Sequence, residues 1–182
     1  MRRLGAVAVA GLWLLAGCNP QPPKATPAPS SASAARPTPT PLVLKISGKG
    51  TAKRPVHLIQ QVHNRVDYDL LASSYESRGP QGSARAVFQD ARVTFVDPKG
   101  AKVAATAPQA VVDQTTKTVT LLGGVVAHTS SGTTLQCDRL EYLRDVGMLH
   151  GDGNVIVTDP KGFRATGSSF DSDISLTQIR MQ

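Results

Sequence analysis

The sequence predicts an all-β fold, an elongated β-jelly roll or solenoid of repeated antiparallel strands with about four rungs. Three observations carry that prediction. A strand that ends in a glycine-closed turn recurs three times at a spacing of about 30 residues: Val93-Thr94-Phe95-Val96-Asp97-Pro98-Lys99-Gly100, Val125-Val126-Ala127-His128-Thr129-Ser130-Ser131-Gly132 and Val155-Ile156-Val157-Thr158-Asp159-Pro160-Lys161-Gly162. Apolar residues alternate with polar ones inside the copies, the period of a strand with one buried face. No segment sustains the period of a helix.

The agreement runs past each turn. Val103 and Ala105 fall where Leu135 and Cys137 fall in the second copy and Ala165 and Gly167 in the third, and Ala110, Leu140 and Phe170 correspond in the same way. A fainter copy precedes them, with Ala72-Ser73-Ser74-Tyr75 echoing Gly167-Ser168-Ser169-Phe170. Ahead of the repeats, Leu42–Ile46, Val56–Ile59 and Val66–Ala72 read as strands of lower regularity punctuated by Gly48, Gly50, Gly79 and Gly82. Val56–Val66 is ambiguous and has room for a turn of helix.

The N-terminus is a separate matter. Arg2 and Arg3 open a charged region, Leu4–Leu15 form an apolar run too short to span a bilayer comfortably, and Leu15-Ala16-Gly17-Cys18 follows at the cleavage position. Residues 1–17 therefore read as a signal peptide. Leu-Ala-Gly-Cys resembles the bacterial lipobox, which implies that Cys18 is acylated and becomes the first mature residue; the rival reading is a plain secretory signal with an incidental cysteine. Several acyl chains hold a protein on a membrane stably where one does not. Residues 18–41 add an extended tether rich in Pro, Ala, Ser and Thr, which buries too little apolar surface to fold. The folded domain is expected over 42–182.

Composition argues against several functions. His57, His63, His128 and His150 are scattered, without the spacing that holds a metal, and Ser, His and Asp fall in turns or on strand surfaces. Neither an enzyme nor a metal site nor a cofactor is expected. Gly123-Gly124 and Gly151-Asp152-Gly153 suit strand starts better than a phosphate cradle, which needs a following helix. Cys137 fills a slot taken by Ala105 and Gly167 in the other copies, the place of a small buried side chain. The net charge of +7 falls to about +5 without Arg2 and Arg3, and its cations, Lys99, Arg139, Lys161 and Arg164 among them, are spread singly. No nucleic-acid partner is expected from such a surface; an anionic lipid headgroup or solubility explains it.

The alternation assigns faces. Val93, Phe95, Val125, Ala127, Val155 and Val157 point one way, and Arg92, Thr94, Val126 and Thr158 the other. Short strands with one apolar face must enclose a common core. Val93, Phe95, Val103, Val125, Leu135, Leu140, Tyr142, Val155 and Phe170 are its candidate lining.

At these residues the chain resembles a known family. Leu121-Leu122-Gly123-Gly124-Val125, Gly151-Asp152-Gly153-Asn154-Val155, Gly132-x-x-Leu135-x-Cys137-Asp138-x-Leu140-x-Tyr142 and Gly162-Phe163-x-Ala165-x-Gly167 are similar to the OstA-type repeat of the periplasmic lipopolysaccharide-transport proteins. Within that OstA/LptA-like superfamily the match is to the membrane-tethered LptC family, over about Leu42–Gln182. The resemblance implies an open jelly roll whose apolar interior takes the acyl chains of lipopolysaccharide or a related glycolipid. It implies loading by an inner-membrane ABC transporter (LptBFG-like) near Leu42–Ile59 and delivery to a soluble LptA-like periplasmic protein at the C-terminal edge, where Ile174, Leu176, Ile179 and Met181 are the candidate contacts. An uncovered strand edge invites such pairing.

One departure stands out. The tethered family usually keeps an uncleaved transmembrane helix, whereas this chain has a lipobox and a tether. Asn19 also lacks the aspartate that resembles an inner-membrane retention signal in enteric bacteria, so the anchoring membrane is open: inner by family, outer as the alternative. The rival function is a structural envelope lipoprotein that docks proteins through its sheet edges. A scaffold should have an interior packed with large side chains, and a conduit a continuous apolar strip along an opening seam.

Overall fold

The computed structural model describes residues 44–80 and 83–182, so Cys18, the signal, the tether and Leu42 lie outside the described residues. Eleven strands follow in order: β1 (Leu44–Lys49), β2 (Val56–Val62), β3 (Arg65–Ala72), β4 (Ser74–Gly79), β5 (Arg85–Val96), β6 (Lys102–Asp113), β7 (Thr118–Thr129), β8 (Thr134–Leu143), β9 (Met148–Thr158), β10 (Arg164–Asp173) and β11 (Ile179–Met181). They form one antiparallel sheet in the order β1-β4-β5-β6-β7-β8-β9-β10-β11, with β2 and β3 branching from β5. The all-β, jelly-roll-like expectation holds, and the sheet does not close into a barrel.

The branch is explained by pairing. β5 takes β3 along Arg92–Phe95 and β4 along Arg85–Gln89, so β3 and β4 are two halves of one pass interrupted at Ser73. β2 and β1 repeat the arrangement one step further out, on β3 and β4 respectively. Each repeat copy is then a hairpin, β5–β6, β7–β8 and β9–β10, and the fainter copy is the interrupted pair before them.

Every long pass bends in the middle. Buried positions step by two within each half, as side chains on one face of a strand must, but by three or four across the centre: Phe88 to Ala91, Ala107 to Ala110, Leu121 to Val125, Cys137 to Leu140 and Gly151 to Val155. A flat strand with such a step would turn its second half's apolar residues to water. Bulges prevent this, with register shifts at Thr106/Gln109, Leu122/Val125, Gln136/Arg139 and Gly167/Ser169. Left-handed backbone supplies the kink at Asp90 (φ 50°), at Gly123 and Gly124 (both 92°) and at Gly153-Asn154 (76° and 48°).

The bends align into one crease, continued by Ser73, whose amide and carbonyl bond Gln89 and Gly50. They divide the sheet into two walls. One wall carries the strand halves beside the Asp97–Gly100, Thr129–Gly132 and Asp159–Gly162 turns; the other carries the remaining halves. Their inward faces meet in a single buried core that includes both Phe95 and Tyr142. The three turn glycines have φ between 87° and 91°, as the glycine-closed reading requires.

Two local expectations are corrected. Val56–Val66 holds no helical turn: it is the β2–β3 hairpin, whose two-residue loop His63-Asn64 has φ of 49° and 62°, the twist that antiparallel strands favour. The stretch after Phe170 is not one long final strand. β10 stops at Asp173, whose carboxylate accepts bonds from the Ser175 hydroxyl, the Thr177 hydroxyl and the Thr177 amide, winding the chain into a turn. Burial pushes the Asp173 carboxyl up, but the hydrogen bonds it accepts from Ser175, Gln178 and Thr177 together outweigh that and hold it below its ordinary range. Leu176 sits there at φ 52°.

Candidate lipid-binding interior

The structure brings all nine candidate lining residues into the one core, and none of them is more than 2% exposed. Val93, Phe95, Val103, Val125, Leu135 and Val155 come from one wall, and Leu140, Tyr142 and Phe170 from the other. Phe95 meets Tyr142 across the interior, ring centroids 4.7 Å apart. In this region the interior is packed, without a strip open to solvent.

It opens at the N-terminal end. Val56 and Leu58 of β2, on one wall, face Tyr75, Ala86, Phe88 and Val112 on the other around a groove of about 300 Å³. Tyr75 and Phe88 stack at 5.9 Å. These residues are continuous with the core, and Val56, Leu58, Tyr75 and Ala86 are only partly buried against it. None of the nine candidate lining residues, which start at Val93, belongs to this mouth. The signal was present in the spacing of Val56 with Leu58 and of Ala86 with Phe88, two residues apart.

A second groove, of about 490 Å³, runs between the rows of turns where the free ends of the two walls approach. Val62, Val66 and Val146 line it, at 41%, 38% and 66% exposed. The walls are tied together beside it. The Tyr142 hydroxyl donates to Asp67 Oδ1 at 2.7 Å and the Arg144 Nε–H donates to Asp67 Oδ2 at 2.9 Å, while the Arg144 guanidinium lies over the Tyr68 ring at 5.7 Å. Burial, then the bond to Asp67, push the Tyr142 phenol well above its ordinary value.

The candidate partner edge is divided. Ile174 and Leu176 are 1% and 6% exposed and belong to the core, so they do not line a free edge. The physical reason is the Asp173-centred turn, which points both side chains inward. Ile179 and Met181 do lie on the last strand, β11, which covers only Phe170–Ser172 of β10. The Gln182 carbonyl caps the Ser168 and Ser169 amides at the crease. Arg164–Gly167, on the other wall, pair with β9 and, among the described residues, have no further strand beyond them.

Other titratable groups play structural parts. Burial pushes the Cys137 thiol up to about 12, which leaves it inert, in keeping with its small-residue slot. His150 bridges Asp171 at 2.7 Å and Asp152 at 3.1 Å on the outer surface. Among the described residues, no group of three or more His, Cys, Asp or Glu is placed to hold a metal, and no helix is long and apolar enough to cross a membrane.

A folded antiparallel sheet with an apolar interior between two walls defines the chain as a jelly-roll-like protein. A family model described as lipopolysaccharide-assembly, LptC-related, matches residues 49–181, and the chain belongs to that family. Its role is in lipopolysaccharide transport in the cell envelope, together with lipopolysaccharide and the other transport components. No curated protein matches the chain.

Proposed function

We propose that the protein takes the acyl chains of lipopolysaccharide, or a related glycolipid, between its two walls and passes them along the crease from the N-terminal mouth toward β10. The observation that carries this reading is the continuity of the apolar interior with an open mouth at the N-terminal end. The outer strands at that mouth, β1 and β2, expose Leu44, Ile46 and Ile59 at 44%, 51% and 48%; this is the surface on which an inner-membrane ABC transporter would deliver the lipid. At the other end, the uncovered Arg164–Gly167 edge with β11 would receive a soluble jelly-roll protein by strand addition. Acylated Cys18 and the tether over 18–41 would hold the domain at a membrane, the inner one by family. Chemistry is not part of this role: the protein is a conduit and not an enzyme.

A packed interior also suits the scaffold reading, in which the sheet edges dock proteins and nothing enters the core. Photo-crosslinking separates the two. A photoreactive residue at inward Phe95 or Leu135 should capture lipopolysaccharide in cells, and the same residue at outward Thr94 or Gln136 should not, because neighbouring side chains on a strand face opposite ways. Equal capture from both faces removes the conduit. Cys18→Ser should leave an unprocessed or released protein; unchanged fatty-acid labelling removes the anchor.

A further inference from the structure

We propose that Asp67, Tyr142 and Arg144 form a clasp across the open side of the fold, and that the clasp must part before an acyl chain lies beside Phe95. This rests on the lipid-carrying reading above. Asp67 lies on β3 in one wall; Tyr142 and Arg144 lie at the end of β8 in the other, 75 and 77 residues away in sequence. The carboxylate is bonded on both oxygens, one to each partner, and the Arg144 and Asp67 side chains are only 15% and 13% exposed. The same Tyr142 ring packs on Phe95. Moving Tyr142 off Phe95 makes space beside that ring, and the same movement withdraws the Tyr142 hydroxyl from Asp67.

The geometry also explains why the clasp is polar. An apolar seam would be held by non-directional contacts that yield piecemeal. A carboxylate shared by a phenol and a guanidinium is held by directional bonds that break as a set. The exposed Val62, Val66 and Val146 flank it, so parting the clasp joins an apolar surface already at the rim to the packed interior. The closed fold thus keeps the core dry, and opening gives a chain a continuous apolar path.

The test uses the full-length protein with Cys137→Ala, which leaves the described domain free of native thiols. Asp67→Cys and Arg144→Cys are introduced together, a photoreactive residue replaces Leu135 so that the Phe95–Tyr142 contact is kept, and purified lipopolysaccharide is the probe. Bridging the two cysteines with a short bis-thiol reagent should abolish capture at Leu135, while the unbridged protein captures; circular dichroism should be the same for both. Equal capture from bridged and unbridged protein overturns the clasp and leaves the conduit standing. Absence of capture from both overturns the conduit and the clasp with it. Tyr142→Phe is the companion variant: it keeps the ring on Phe95 and deletes one hydrogen bond to a carboxylate, so the loading rate should rise about tenfold. A loading rate unchanged while thermal stability falls would make the contact merely structural and overturn the proposal.

Discussion

Gly151 has an ordinary extended backbone, so its need for glycine is steric. A Cβ there would run into the Phe170 ring, which lies over the bare position on the neighbouring strand. Gly151→Ala should destabilise the domain by about 2 kcal/mol, the usual cost of overpacking a filled core, read as a lower urea midpoint at unchanged slope. Phe170→Leu in the same chain should recover part of the loss. An alanine variant as stable as the native protein would mean that the ring is not held there. In the sequence, Gly151-Asp152-Gly153-Asn154 reads as one strand-start motif. Its residues do separate things: Gly151 admits a ring from β10, Gly153 and Asn154 make the kink, and the Asn154 amide ties it to Asp138 at 2.7 Å. A motif legible as a unit concealed this because the ring and the carboxylate come from other strands.

His150 gives the second prediction at this scale. Its pKa is raised above the ordinary 6.5, chiefly by the bond to Asp171, against a lowering from partial burial, with the Asp152 and Asp171 charges adding to the rise. A raised folded value means that the stabilisation is fully present below the unfolded value and is lost as pH rises through the folded one. The imidazole is 36% exposed, so solvent screening keeps the effect small. Native protein should therefore melt above His150→Gln at about pH 5.5, and the difference should shrink toward about pH 8.5. A difference that grows with pH would contradict the assigned ion pair.

Among the elements, the C-terminal edge is the least legible in the sequence. Apolar residues recur at Ile174, Leu176 and Ile179, and nothing local announces that an Asp173 carboxylate will gather Ser175, Thr177 and Gln178 into a turn. Proline at Leu176 would consequently break this turn, where φ is 52°, a value that proline cannot adopt, and would report on folding instead of pairing. Deleting Gln178–Gln182 removes β11 and the Gln182 cap but leaves the Arg164–Gly167 edge. We expect the deletion to weaken co-purification of a jelly-roll partner, and Thr166→Pro added to it to abolish binding with the circular dichroism spectrum kept. Full binding by that folded double variant would move the partner elsewhere and favour the scaffold. The hairpins β5–β6, β7–β8 and β9–β10 were legible because each is local: strand, glycine turn, strand. Their mid-strand bends were not, since a break in the period-two pattern looks the same whether a strand ends or kinks; only the register with its neighbours tells them apart.

At the scale of the whole molecule, the repeat predicted a common core, and its nine candidate residues are in it; what one sequence does not encode locally is how two walls are held shut. Asp67 looked like one strand carboxylate among many, and its partners lie on the far wall. On this reading lipid loaded at the N-terminal mouth lies beside Phe95 only once the walls part on the side of the Asp67 clasp. Lys99 and Val146 stand on opposite sides of that groove, and both are exposed, so each tolerates a spin label. With purified lipopolysaccharide added, pulsed electron resonance should report a longer distance between labels at Lys99→Cys and Val146→Cys, by roughly 4 Å, the contact spacing of one layer of packed carbon chains. An unchanged distance while lipopolysaccharide is captured at Leu135 would contradict the account.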